Sequence, residues 1–277
     1  MRRRAARQLG ATLLVLAAIG AAAPARAAET PVTRRSALGV DFRWWSAERV
    51  GSVFPMVPFF HYEIIPDLFV DLDVAMAPQT DEDAGRFAIG NPTGGLHYAR
   101  TTSNGALTWF AGLRAGAPLA TAGDLDSDLA GDYASAASGH YEVYRWIPEM
   151  VPLLLTFGLE AHPTRSVWLR VPITPMLFVP TTSRREAKAG VEARFEVEVV
   201  SDMGLGGGYA LQVIGSNAFR TRDEDRAQFA TEPYLVFDND VFLSRLGLLI
   251  AVDSPLGLGL EEGGVMALHL QIGGHLN

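Results

Sequence analysis

Acidic and basic side chains recur at every second position in parts of this chain. Asp71 and Asp73 are two residues apart, and so are Glu192, Arg194, Glu196 and Glu198. Successive side chains on a strand point to opposite faces, so residues two apart line one face. The positions between them are apolar: Leu68, Val70, Leu72 and Val74 in the first stretch, Val191, Ala193, Phe195, Val197 and Val199 in the second. Each stretch therefore has one apolar and one charged face. The same alternation puts Asp41, Glu63, Glu160 and Glu232 on charged faces, with Arg43, Arg114, Arg170 and Arg245 and the imidazoles of His61, His97 and His269. Two chemistries suit such a surface. Acids and arginines can pair and fill a closed interior, because charges in a low-dielectric space must pair or stay hydrated. Alternatively they line a narrow aqueous pore, where an excess of acids favours cations.

Other candidate chemistry is weaker. Asp124, Asp126 and Asp128 alternate, and alternate aspartates can converge on calcium; Leu129 and Ser135, however, stand where a calcium-binding helix–loop–helix needs glycine and glutamate. The run is explained as well by acids favouring a helix N-terminus. No other metal site and no cofactor is expected. For catalysis, an outer-membrane phospholipase carries a His-x-Ser-Asn-Gly element that sets base and nucleophile side by side on a strand. Here His97 precedes Tyr98, Ala99 and Arg100, and Ser103-Asn104-Gly105 comes too late. Six residues of strand span about 20 Å, so base and nucleophile would not meet. The glycine run from Gly204 to Gly208 has no lysine after it and reads as a strand start rather than a phosphate loop. The chain is not expected to be an enzyme.

The N-terminus reads as an export signal. Arg2, Arg3, Arg4 and Arg7 precede an apolar run from Leu9 to Ala23, and Ala25-Arg26-Ala27 supplies the small-x-small cleavage pattern. Residues 1–28 are thus expected to be a cleaved secretory leader, and 29–277 a single domain. Removing the five leader arginines takes the formal net charge from −8 to −13, which argues against nucleic acid as a partner. The chain has 0 cysteines, so disulfides and thiolate metal sites are excluded.

The elements that would position the charged faces are strands. After the leader, no apolar stretch reaches the roughly 18 residues of a membrane helix. About twelve segments of roughly 9 to 13 residues recur instead, the length a tilted strand needs to cross a bilayer. They fall near 36–48, 53–64, 67–77, 87–100, 105–117, 151–161, 166–179, 190–200, 204–215, 227–237, 241–253 and 264–275. The connections after the second, fourth, sixth, eighth and tenth are short, and those after the third, fifth, seventh, ninth and eleventh are longer. The longest, 118–150, carries Leu125, Leu129, Tyr133 and Ala137 at helical spacing. A short amphipathic helix is expected there, over the mouth, in the lumen or on the rim.

In this layout the chain resembles a Gram-negative bacterial outer-membrane β-barrel protein, from the leader to the last strand. The resemblance implies an antiparallel transmembrane barrel with short periplasmic turns and longer outer loops, located in the cell outer membrane. It also implies contact with membrane lipid and lipopolysaccharide, and insertion by the barrel assembly machinery. Its last residues are Gly274-His275-Leu276-Asn277, where such proteins often end on an aromatic residue. The implied function is a passive channel or transporter for small solutes or cations. A plugged structural or adhesion-type barrel and a soluble periplasmic β-protein that binds an apolar ligand are the alternatives.

Overall fold

A computed structural model describes residues 35–47, 51–80, 85–120, 125–217, 227–253, 257–258 and 264–276. The expected leader, residues 1–28, therefore lies outside the described residues, and so does Asp124. Among the described residues, sixteen strand segments and one α-helix make up the architecture. The first wall runs through β1 (Ala37–Ala47), β2 (Gly51–Val53), β3 (Met56–Ile65), β4 (Leu68–Asp73), β5 (Met76–Thr80), β6 (Gly85–Ile89), β7 (Thr93–Thr101) and β8 (Leu107–Gly116). Helix α1 (Leu125–Ala137) and a 3-10 turn (Val143–Arg145) follow. The second wall is β9 (Met150–Thr164), β10 (Val167–Pro180), β11 (Lys188–Val200), β12 (Leu205–Ser216), β13 (Ala227–Asp238), β14 (Phe242–Asp253), β15 (Gly257–Leu258) and β16 (Met266–His275).

Every pairing is antiparallel, and the sheet closes on itself. The first strand pairs with the last, Val40 opposite Ile272, and β13 pairs with β14 to complete the circuit. Closure pairs each strand of the circuit on both sides, which is a requirement for a sheet in lipid. The circuit contains fourteen strands, with β6 and β15 pairing off it, rather than the roughly twelve expected from sequence. The cause is local. The stretches expected at 53–64 and 67–77 are each broken, the first at Phe54-Pro55 and the second at Val74-Ala75, giving β2 with β3 and β4 with β5. Proline cannot donate to the ladder, which accounts for the first break. Gly90-Asn91-Pro92 separates β6 from β7 in the same manner.

Short connections gather at one end: 66–67, 102–106, 165–166, 201–204 and 239–241. Turn chemistry explains two of them. Asp67 follows Pro66 with φ 69°, and Gly204 has φ 80°, where an added Cβ would collide with the Asp238 carbonyl. The segment 117–149, which carries α1, leaves from the opposite end.

The faces follow the alternation. Leu159 is 49% exposed on the outside, whereas the next residue, Glu160, has no exposed surface. Outside, Leu96, Leu113, Leu155, Phe195, Leu211, Leu235 and Leu268 stand in an exposed apolar band. A soluble monomer rarely exposes a contiguous apolar surface of more than a few hundred Å².

Helix α1 lies inside the barrel. Ala130, Ala134 and Ala137 are fully buried against a wall of small residues: Ala75, Ala77, Ala88, Ala230, Ala251 and Ala267. These alanines explain how a helix fits where bulky side chains would fill the space. Trp45 closes the packing edge-on to Tyr133, with ring centroids 5.9 Å apart.

Candidate functional site

The charged side chains meet inside the barrel in one connected network. Arg170 bridges Glu160 (3.4 Å) and Glu196 (2.5 Å). Glu196 also receives Arg194 (2.7 Å) and Arg245 (2.8 Å), and both of these reach Glu232, at 3.1 and 3.0 Å. His269 then stands between two carboxylates, 2.7 Å from Glu232 and 2.9 Å from Asp41. Asp41 is 3.5 Å from Arg43, and Arg43 is 2.6 Å from Glu142. Glu142 lies 3.4 Å from Arg145, whose guanidinium is paired with Asp73; Arg114 pairs with the same carboxylate, and Thr93 donates to it at 2.8 Å. The line runs from β9 through β10, β11, β13, β14, β16 and β1 into the inserted segment, then out to β4 and β8.

Strand register creates this line. Glu160 is opposite Arg170, and Arg170 is opposite Glu196, each on a neighbouring strand. Directly opposed charges of unlike sign stabilise a sheet by roughly 0.2–1 kcal/mol per pair at exposed sites. Buried, their main effect is to be indispensable to one another: removing one partner strands the other charge.

Two residues of the network, Glu142 and Arg145, belong to the inserted segment and were not singled out from sequence. They sit in a connection whose helical spacing pointed to the apolar residues, and nothing in their own spacing marks them. Burial alone would raise the Glu142 carboxyl, but Arg145 and Arg43 beside it hold it well below the usual carboxylate range. Tyr141 of the same segment lies under the Arg194 guanidinium, 6.0 Å from carbon to ring centre. Asn91 anchors the segment from the barrel wall by donating to the carbonyls of Tyr144 (3.0 Å) and Ile147 (2.9 Å).

Not every sequence-derived site residue joins the line. Glu192 is buried on β11 opposite Thr174, and Glu198 accepts from the Tyr234 hydroxyl at 3.1 Å; neither is ion-paired with an arginine among the described residues. Glu63 accepts the Asp67 backbone N–H at 2.9 Å and so closes the turn after β3. His61 and Asp71 form a separate group with His97, the His61 Nδ1 lying 2.6 Å from the carboxylate. A cavity of about 220 Å³ is lined by Asp41, His61, Asp71 and Asp73 from the wall and by Glu142 and Arg145 from the insert. Asp126 and Asp128 are on α1.

The circuit, the inward charges and the apolar exterior are those of a known kind of barrel. An outer-membrane channel from Pseudomonas putida F1 superposes with a TM-score of 0.59 at 10% identity, covering 89% of this chain and 97% of the channel. The chain has the fold of an outer-membrane channel. The NanC porin superposes with a TM-score of 0.58 at 7% identity, covering 86% of this chain and 100% of the porin. LpxR from Salmonella typhimurium follows at a TM-score of 0.46 and 10% identity, covering 87% and 100%. No protein-family model and no curated protein matches the sequence. At these identities the likeness concerns the barrel alone.

Proposed function

We infer that this protein is an outer-membrane barrel of a Gram-negative cell and a passive channel for small solutes, with a preference for cations. The apolar band around Leu113, Leu155 and Leu235 supports a lipid surround, and speaks against the soluble periplasmic reading. Lipid, lipopolysaccharide and the barrel assembly machinery are then its partners. The long connections face outward in this placement, and the short turns face the periplasm.

The observation that carries the channel reading is the cavity beside the insert. It is lined by the Asp41, Asp71 and Asp73 carboxylates of the wall and by Glu142 and Arg145 of the insert. Arginines balance the acids along the network, while Glu192, Glu198 and Asp71 form no arginine ion pair among the described residues. This excess gives the interior the sign that favours cations. The inserted segment is the constriction. The close seating of α1 on alanines favours a second reading, a plugged barrel that works through its outer loops.

Planar-bilayer recording across a potassium chloride gradient separates the two. The channel reading expects ohmic steps and a cation-selective reversal potential, reduced by Glu192→Gln combined with Glu198→Gln. A full-length chain that inserts yet passes no current supports the plug.

A further inference from the structure

We propose that His61, Asp71 and His97 bind one borderline divalent metal ion of the zinc class on the inner wall of the barrel. The three side chains come from three consecutive neighbours in the sheet, β3, β4 and β7. His61 lies directly opposite Asp71, and His97 is opposite Phe69, one alternation further along β4. One potential ligand atom from each residue lies within 4.8 Å of those from the other two.

The spacing suits coordination. Tetrahedral ligands about 2.0–2.1 Å from zinc stand roughly 3.4 Å from each other. The His61 Nδ1 is 2.6 Å from one Asp71 oxygen and the His97 Nδ1 is 3.7 Å from the other, so the two separations bracket that value. Rearrangements of less than 1 Å, roughly, admit the ion.

The surroundings hold the donors in place. Phe69 stacks against both imidazoles, with centroids 4.7 Å from His61 and 5.3 Å from His97. Phe110 meets His97 edge-on at 6.0 Å. Gly95 faces Asp71 across the β4–β7 ladder, and an added Cβ at that position would collide with Arg114. The cavity lined by His61 and Asp71 leaves room for water on the open coordination positions.

Charge supplies the need. Asp71 is half-buried between two imidazoles and forms no arginine ion pair among the described residues, whereas the nearby Arg114 is committed to Asp73. A divalent ion neutralises the carboxylate and takes imidazole nitrogens, which are the ligands borderline metals prefer to the all-oxygen sets of calcium or magnesium. The inference does not rest on the channel reading, since a plugged barrel would hold the ion equally.

The test uses the full-length, tag-free chain folded in detergent and stripped with a chelator. Zinc chloride titrated by calorimetry is expected to bind saturably at one equivalent, with calcium chloride giving no such isotherm. His97→Gln, His61→Gln and Asp71→Asn should each weaken zinc binding by about tenfold or more, while His162→Gln leaves it unchanged. In case a variant does not fold, protection of the unmodified chain from diethyl pyrocarbonate supplies a second readout. Zinc should shield His61 and His97 and leave His162 reactive, as mapped by mass spectrometry. Absence of saturable zinc binding to the unmodified chain, or protection falling on other histidines, would overturn the proposal.

Discussion

Arg43, buried on the barrel wall, and Glu142, half-buried on the inserted segment, form an ion pair of 2.6 Å, which ties the insert to the first strand. Glu142→Gln leaves Asp41, at 3.5 Å, as the carboxylate ion-paired with Arg43 among the described residues. Breaking a buried pair costs about 3–5 kcal/mol, whereas apolar replacement of both partners is often neutral. The single substitution should therefore lower the unfolding temperature, read as the temperature at which heat modifies electrophoretic mobility. Arg43→Met with Glu142→Met should restore much of it. Equal melting of the wild type and Glu142→Gln would show that the pair does not hold the insert.

His140 predicts how the insert responds to acid. Burial lowers its pKa to about 4, and its Nδ1 lies 2.8 Å from the Ser135 hydroxyl oxygen at the end of α1. The folded chain then binds fewer protons here than the unfolded chain between about pH 6.5 and 4, so stability falls as pH drops through that window. Glu142 stays ionised throughout it. His140→Asn removes the titrating group and tolerates the local φ of 59°. Melting temperature plotted against pH should flatten between 6.5 and 4 in this variant; a slope unchanged from wild type would assign the acid sensitivity elsewhere.

The two faces of β12 predict a contrast between adjacent residues. Leu211 is 49% exposed on the outside, and Gln212 is buried and donates to Glu232 at 3.2 Å. The chain has 0 cysteines, so Leu211→Cys and Gln212→Cys can each be spin-labelled alone. In lipid vesicles, oxygen should relax the label at 211 strongly and the label at 212 weakly. Similar oxygen accessibility at both positions would contradict a lipid-facing exterior.

The alternation at 191–199 was enough to separate an apolar face from a charged one, because a two-residue period is a local property of a strand. The rhythm of short and long connections was legible for the same reason. The broken walls were not. A break at Phe54-Pro55 adds a pairing without changing the hydrophobic period, so β2 and β3 read as one strand. The site was legible only in part. Glu160, Arg170 and Glu196 are charged in sequence, but that they stand opposite each other depends on register, which a single sequence does not state. Glu142 and Arg145 were missed because the fold of the insert, and not its periodicity, brings them to Arg43 and Asp73. His61 and Asp71 face each other across one hairpin, and His97, 26 residues beyond Asp71, is brought to them by the pairing of β4 with β7.

If the segment inside the barrel sets the aperture of a channel, its removal must widen the path. Single-channel conductance of a chain lacking residues 122–148, compared with the full-length protein in the same planar bilayer and salt, reads this. Removing α1, Glu142 and Arg145 should raise the ohmic conductance severalfold while heat-modifiable mobility still reports a folded barrel. A folded deletion variant whose conductance equals that of the full-length chain would show that the insert is not the constriction.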